Sequence, residues 1–217
     1  MIPLKIDLHI HTTHSGDSLT TVKEAVEWAE RRGLDGIAIT DHNSVDALEE
    51  IPRLNSGLLV LLGEEIDTRE GHLIALGINE KIPSGLSFSK TLGLIRQVGG
   101  LAVVPHPFDR LRGGVGPKVV RSITPDALEV VNSHSLFFGS KRDLGISLAQ
   151  ELGLPCVGGS DSHIPETIGD AYTLVSCGRR SQDSVLKSIR DGRTQVFGSP
   201  TAVWHRLRTL PLVFNKV

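Results

Sequence analysis

Short apolar runs recur along this chain, and almost every one gives way to a turn and then a helix-like stretch. LKIDLHI (4–10), LDGIAIT (34–40), LLVLLGEEI (58–66), HLIALGI (72–78), LAVVPHP (101–107), DALEVVN (126–132), LPCVGGS (154–160) and AYTLVS (171–176) read as strands. Between them, LTTVKEAVEWAERRG (19–33) places Val22, Ala25, Val26 and Ala29 at helical spacing and stops at Gly33, a fitting helix end. SVDALEEI (44–51), halted by Pro52, and FSKTLGLIRQVGG (88–100) read as helices, as do 140–152 and 181–191. QVFG (195–198) closes the series, and residues 199–217 form a C-terminal tail or a final helix around Trp204–Arg208. Strands that are apolar on both faces and separated by helices belong to a parallel sheet covered on both sides. About seven such units suit a (β/α) barrel better than an open doubly wound sheet, although periodicity alone does not show closure. At 217 residues, one domain over 1–217 is expected.

Charge and cysteine content narrow the field. A formal charge of −2 gives no global attraction for polyanions, so phosphate binding has to be local and a DNA-coating role is disfavoured. No apolar run approaches the roughly 18 residues of a membrane span, and no export signal opens the sequence, so a cytoplasmic protein is expected. Cys156 and Cys177 lie outside any CxxC pair and read as reduced thiols.

The polar residues are informative through their position. His9 and His11 end the first strand, Asp41 and His42 the second, and Glu64 and Glu65 the third. His106 follows Val104, Asn132 and His134 follow the DALEVVN run, and Asp161 and His163 follow Val157–Ser160. In a parallel barrel those strand ends meet at one mouth, where the catalytic residues of such barrels sit. A lone histidine at a strand end is ordinarily a polar cap, but an HxH pair on one strand sends both rings to one face. So many imidazoles and carboxylates in one small space would carry a heavy desolvation penalty without cations. Nitrogen and oxygen donors without thiolate suit Zn²⁺, Mn²⁺ or Fe²⁺, and their number implies more than one ion, with Glu65 fit to bridge. The chemistry expected from the residues is metal-assisted hydrolysis, with a phosphoester ahead of an amide or lactone.

Five separated stretches, DLHIHTTHSGDS, AITDHN, GEEI with GHLIALG, VVPHPF and GGSDSH, resemble in order the motifs of the polymerase-and-histidinol-phosphatase (PHP) family of metal-dependent phosphoesterases. The likeness runs from about residue 4 to 197 and is nearest to the small stand-alone members. It implies a distorted (β/α)7 TIM-like barrel holding two or three divalent ions. His9, His11, Glu65 and Asp161 would hold the first ion, and Asp17, His42 and His163 the second. Glu65 would bridge to a third, completed by His106 and His134, although the spacing of His134 from its strand departs from the family pattern. His72, opening GHLIALG, aligns with a histidine common in stand-alone members and is a candidate ligand or substrate contact.

Strand alternation lets only one of Glu64 and Glu65 face the mouth, and the resemblance implies Glu65, with Glu64 on the helix side; alternation also sets Asp7 on the face of His9, one layer deeper, as support for the site. His14 falls in the loop and is expected to matter little, Asp17 a great deal. The expected reaction is attack of a metal-bound hydroxide on a phosphoester, with Asp161 or a neighbouring histidine orienting the water and His163 or His134 protonating the leaving oxygen. Arg110 and Arg112, just beyond His106, are candidates to contact the phosphate, and Lys141 with Arg142 weaker ones. Only about twenty residues separate Gly77 from Leu101, which leaves no room for the helical insertion of several stand-alone members and implies an open mouth. Small phosphomonoesters or nucleotides are the favoured substrates. An exonuclease or phosphatase on short oligonucleotide ends is the second possibility, and a non-catalytic barrel in a nucleoprotein or polymerase assembly the third.

Overall fold

The chain begins with β1 (Ile2–Ile10), which a loop links to α1 (Val22–Arg31) and then β2 (Gly36–Ile39). α1 starts at a complete capping box, in which the Thr21 side chain accepts from Glu24 N and the Glu24 side chain accepts from Thr21 N. It buries Val22, Ala25, Val26 and Ala29, the stripe that its sequence spacing predicts. The helix expected over 44–51 is instead two 3-10 turns, Asp46–Glu49 and Ile51–Arg53, because Pro52 leaves no room for a full helix. β3 (Leu59–Asp67), β4 (His72–Leu76), α2 (Phe88–Gln97), β5 (Leu101–Val104), α3 (Pro117–Ser122) and β6 (Ala127–Asn132) follow. α4 (Phe138–Leu152), β7 (Cys156–Gly159), β8 (Ala171–Cys177), α5 (Gln182–Arg190), β9 (Thr194–Gly198) and α6 (Val203–Phe214) complete this computed structural model, which describes residues 1–214. Among those residues no helix is long and apolar enough to cross a membrane.

All nine strands form one sheet in the order β7-β6-β5-β4-β3-β2-β1-β8-β9. β1, β2 and β3 are parallel, as are β5, β6 and β7, in line with the repeating strand–helix pattern. β4 runs antiparallel to both β3 and β5, because the four residues between β3 and β4 cannot make a parallel crossover. The far ends of the sheet meet at β1. Its first half pairs antiparallel with β8 through Ile2–Ile6, while its last residues meet the end of β7, with Asp161 N donating to His9 O at 2.8 Å and His11 N to Ser162 O at 2.9 Å. This seam makes the sheet a nearly closed, distorted barrel.

One apolar cluster gathers Leu4, Ile6, Leu8, Leu61, Ile74, Leu76, Val103 and Val157 from strands around the whole sheet and is the barrel interior. Val185, Leu186 and Ile189 of α5 join it, so that α5 covers the end away from the histidines, where Leu186 packs against Gly77. Ile10, Ile37 and Ile39 pack outward under α1, while Leu73, Ala75, Val104, Leu128 and Val130 pack outward under α2 and α4.

Candidate metal centre

The mouth is built by strand ends, as expected, with one exception of direction. His9 lies near the end of β1 and His11 just beyond it, His42 follows β2, Glu65 lies near the end of β3, and His106, His134 and Asp161 follow β5, β6 and β7. His72 opens β4, and only the antiparallel course of that strand brings its first residue to the mouth rather than the far end.

A register irregularity in β1 between Asp7 and Ile10 sets the orientation of the HxH pair. Leu8 faces the interior while Ile10 faces α1, so the inward side of the strand changes from even to odd positions at His9. Asp7 therefore does not share the face of His9, which corrects the sequence expectation. Its carboxylate accepts from Ser160 N at 2.8 Å, Gly169 N at 2.9 Å and His9 N at 3.3 Å, tying β1 to the segment after β7. Burial pushes this carboxyl up to about 7 despite those bonds.

At the centre, His9 Nε2 and His11 Nε2 lie 3.0 Å apart. Glu65 Oε2 is 3.3 Å from the first and 3.2 Å from the second, and Asp161 Oδ1 is 3.6 Å and 3.4 Å away. Donors around a tetrahedral ion at about 2.0–2.2 Å stand about 3.3–3.6 Å apart, so each carboxylate is spaced from the two imidazole nitrogens much as ligands of one such ion are, and His9, His11 and Asp161 form one candidate group. His11, Asp17, His42 and His163 form a second group whose ligand atoms lie within 4.8 Å of one another. His106 groups with His9 and Glu65, and His72 with His42 and Glu65. Among the described residues, His134 groups with Asp161 and His163 and not with Glu65 or His106, so the Glu65–His106–His134 set is not brought together.

The outer nitrogens decide which lone pairs remain for metal. His9 Nδ1 lies 3.0 Å from Glu129 Oε1, and His11 Nδ1 lies 2.9 Å from Ser15 Oγ, which itself donates to Asp41 Oδ1 at 2.9 Å. The Nδ1 atoms of His134 and His163 each lie 3.0 Å from the one carbonyl of Asp161. A carbonyl only accepts, so both rings carry their proton on Nδ1 and leave Nε2 as a lone pair. Asp161 adopts the left-handed region at φ 54°, a conformation costly for a non-glycine residue and found here where both its carbonyl and its carboxylate serve the site.

Electrostatics agree with a site designed for cations. Burial works against the carboxylates, yet His72, His9 and His42 hold Glu65 well below the ordinary carboxylate range, and His9, His11 and Arg112 do the same for Asp161. Burial pulls His9 and His11 down, but Glu129, Asp161 and Glu65 hold His9 well above its usual value, and Asp161 and Glu65 bring His11 up to about 9. In the metal-free protein these protons occupy the positions of cations. His163 is pushed well down by burial and by His11, and His134 to about 4 by burial and Arg112. His72 bridges Glu65 Oε1 at 2.9 Å and Asp67 Oδ1 at 3.2 Å, and those carboxylates outweigh its burial and lift it to about 10.

A cavity of about 500 Å³ opens above this cluster, bordered by His72, His134, Arg112, Arg206, Leu111 and Leu136. Arg112 Nη1 lies 3.2 Å from Asp161 Oδ2. Arg110 is exposed beside Gly116 and does not border the cavity, and Lys141 is bound to Asp109 at 2.8 Å. Glu64 turns outward, accepting from Ile82 N at 2.8 Å, and His14 pairs at the surface with Glu50 at 2.7 Å. Two contributors escaped the sequence reading. Glu129 had a visible signal, an acid alone in the apolar run ALEVVN, whereas Arg206 sits in a tail with no apolar pattern to place it.

A family profile for the PHP domain matches residues 7–97, and one for the PHP-associated region matches 139–194. An uncharacterized protein of Methanocaldococcus jannaschii is 36% identical over 143 residues, covering 60% of this chain and 83% of that protein. The chain belongs to the PHP family. A probable phosphatase of Proteus mirabilis is 29% identical to this PHP chain over 199 residues, covering 76% of it and 81% of the relative. In fold, it is similar to a two-domain protein of Bacteroides vulgatus containing a predicted PHP-like metal-dependent phosphoesterase, with a TM-score of 0.72 at 21% identity. That match covers 91% of this chain and 65% of the longer one. The PHP motifs quoted from the sequence thus fall on the strand ends that make the mouth.

Proposed function

We propose that this PHP chain hydrolyses small phosphomonoesters or nucleotides, using two or three divalent ions of Zn, Mn or Fe held by His9, His11, Asp17, His42, Glu65, His106, Asp161 and His163. The observation that carries the proposal is the pair of carboxylate oxygens, Glu65 Oε2 and Asp161 Oδ1, each 3.2–3.6 Å from the adjacent Nε2 atoms of His9 and His11. When bound, the ions would acidify a water and neutralise charge on the phosphoryl oxygens. Around them the chain supplies orientation. Glu129 and the Ser15–Asp41 pair fix the rings of His9 and His11, and Arg112 faces the phosphate from beside Asp161. His134 holds its Nδ1 proton on the Asp161 carbonyl and presents Nε2 at the cavity wall, the atom that would exchange a proton with the reacting oxygens. In this role His134 contacts substrate rather than metal. The leaving group rests against Leu111 and Leu136, whose apolar side chains suit a carbon body more than a second ion.

The free thiols of Cys156 and Cys177 suit the reducing cytoplasm, where we place the activity. A phosphatase screen over nucleotides, bisphosphates, sugar phosphates and short oligonucleotides with Mn²⁺ or Zn²⁺ tests the proposal, together with metal analysis of the purified protein. Turnover of monoesters with at least one tightly bound ion per chain is expected. Less than one ion and no turnover after metal addition would overturn it.

A further inference from the structure

The first turns of α6 contribute little that a core would need. Over its first turns Val203, Trp204 and Leu207 are exposed at 67%, 68% and 57%, so these side chains give it no apolar anchorage. Polar contacts hold it instead. Arg208 Nη1 meets Glu166 Oε1 at 2.7 Å, and Arg206 donates from Nε to Thr201 O at 3.0 Å and from Nη2 to Ser133 O at 3.0 Å and Ser135 O at 3.2 Å. Two of those three carbonyls flank His134.

The same Arg206 guanidinium borders the cavity, on a wall shared with Arg112, His134 and Asp161. Backbone carbonyls orient this guanidinium, so it arrives at the wall already ordered and with its rotamer entropy already lost. Burial and Arg112 lower Arg206 from its usual value while Asp109 and Asp161 oppose them, in keeping with its place beside the Arg112–Asp161 pair at the mouth.

We infer that Arg206 binds the phosphoryl oxygens of the substrate alongside Arg112, so that the C-terminal helix completes the active site. The inference rests on the phosphoesterase reading above. It gives α6 the role of carrying a specificity residue across the mouth from the strand ends that carry the metal donors. Arg206 and Arg112 are both planar forks able to hold two oxygens each.

The test uses the full chain loaded with Mn²⁺, comparing wild type with Arg206→Gln, which keeps an amide donor for the carbonyls but not the charge. KM for p-nitrophenyl phosphate and the inhibition constant of inorganic phosphate are expected to rise about tenfold or more, with metal content unchanged. The thermal stabilisation that inorganic phosphate gives the wild type should shrink in parallel, and Arg206→Lys should recover part of both. A Gln variant that binds phosphate as tightly as wild type overturns the inference alone. If both variants lose bound metal and folded stability together, the role of Arg206 is structural and the inference also falls. A wild-type chain with neither turnover nor phosphate-induced stabilisation overturns the phosphoesterase reading, and this inference with it.

Discussion

Glu129 reaches from the wall of the barrel to the outer nitrogen of His9 and also accepts from His106 N and Asn132 Nδ2, both at 2.9 Å. A carboxylate in that position fixes the tautomer of a ligand and raises its basicity. Glu129→Gln is therefore expected to lower affinity for the most tightly held ion by about 10–100-fold, read by competition with a chelator, while the fold survives. The two polar residues of the first loop should separate cleanly. Asp17→Ala removes a donor from the His11–Asp17–His42–His163 group and should cost one ion per chain by elemental analysis, with turnover lost. His14→Ala breaks only a half-exposed pair with Glu50, so stability should change by less than about 1 kcal/mol, with metal content unaltered. His72 and Asp17 were legible as candidate site residues because they stand in GHLIALG and DLHIHTTHSGDS, two of the stretches that carry the family resemblance. Arg206 was not, because a cation in a tail is ordinarily solvated and only the fold brings it to the cavity.

At the level of the elements, the strand–helix alternation predicted most strands and helices, since apolar runs and stripes are dictated by burial. Direction and register were less legible. β4 turns antiparallel because of a four-residue connection, and the irregularity in β1 puts Asp7 and His9 on opposite faces without leaving a mark in the apolar pattern. The approach of β7 to β1 was also hidden, although it explains a glycine. A methyl group at Gly159 would lie 2.7 Å from His9 N, against backbone that cannot move aside. Gly159→Ala is expected to cost several kcal/mol, on the order of the largest single-residue effects, and to weaken metal binding with it. Thermal denaturation and metal titration of that variant check this. Full stability in the Ala variant would show that the two strands do not close as described.

Across the whole molecule, the buried charges make stability depend on both metal and pH. In the metal-free protein His11 and His72 are raised to about 9 and about 10, from 6.5 in the unfolded chain. The folded state thus holds more protons above pH 6.5, and the stability these pairs contribute is complete below that pH and lost as pH rises through about 9–10. Glu65 and Asp161 are depressed, so their contribution is present above the ordinary carboxylate range and lost as pH falls below it. Bound ions replace those protons and gain from the same rise in pH. The difference in Tm between metal-loaded and metal-free protein should therefore widen from pH 6.5 to 9, and a constant difference would contradict this account of the cluster.

The seam between β1 and β7 carries a consequence for the protein's persistence. His9 and His11 stand on one side of it and Asp161 and His163 on the other, while two backbone hydrogen bonds span it. An ion shared across that line, as proposed above, would act as a clasp on the barrel as well as a reagent. Amide exchange at His11 and Asp161 should slow sharply when metal is added, while the amides paired between β2 and β3 change little. Starved of metal, the chain would open first along this line, and metal supply would then govern its survival against proteases as well as its activity.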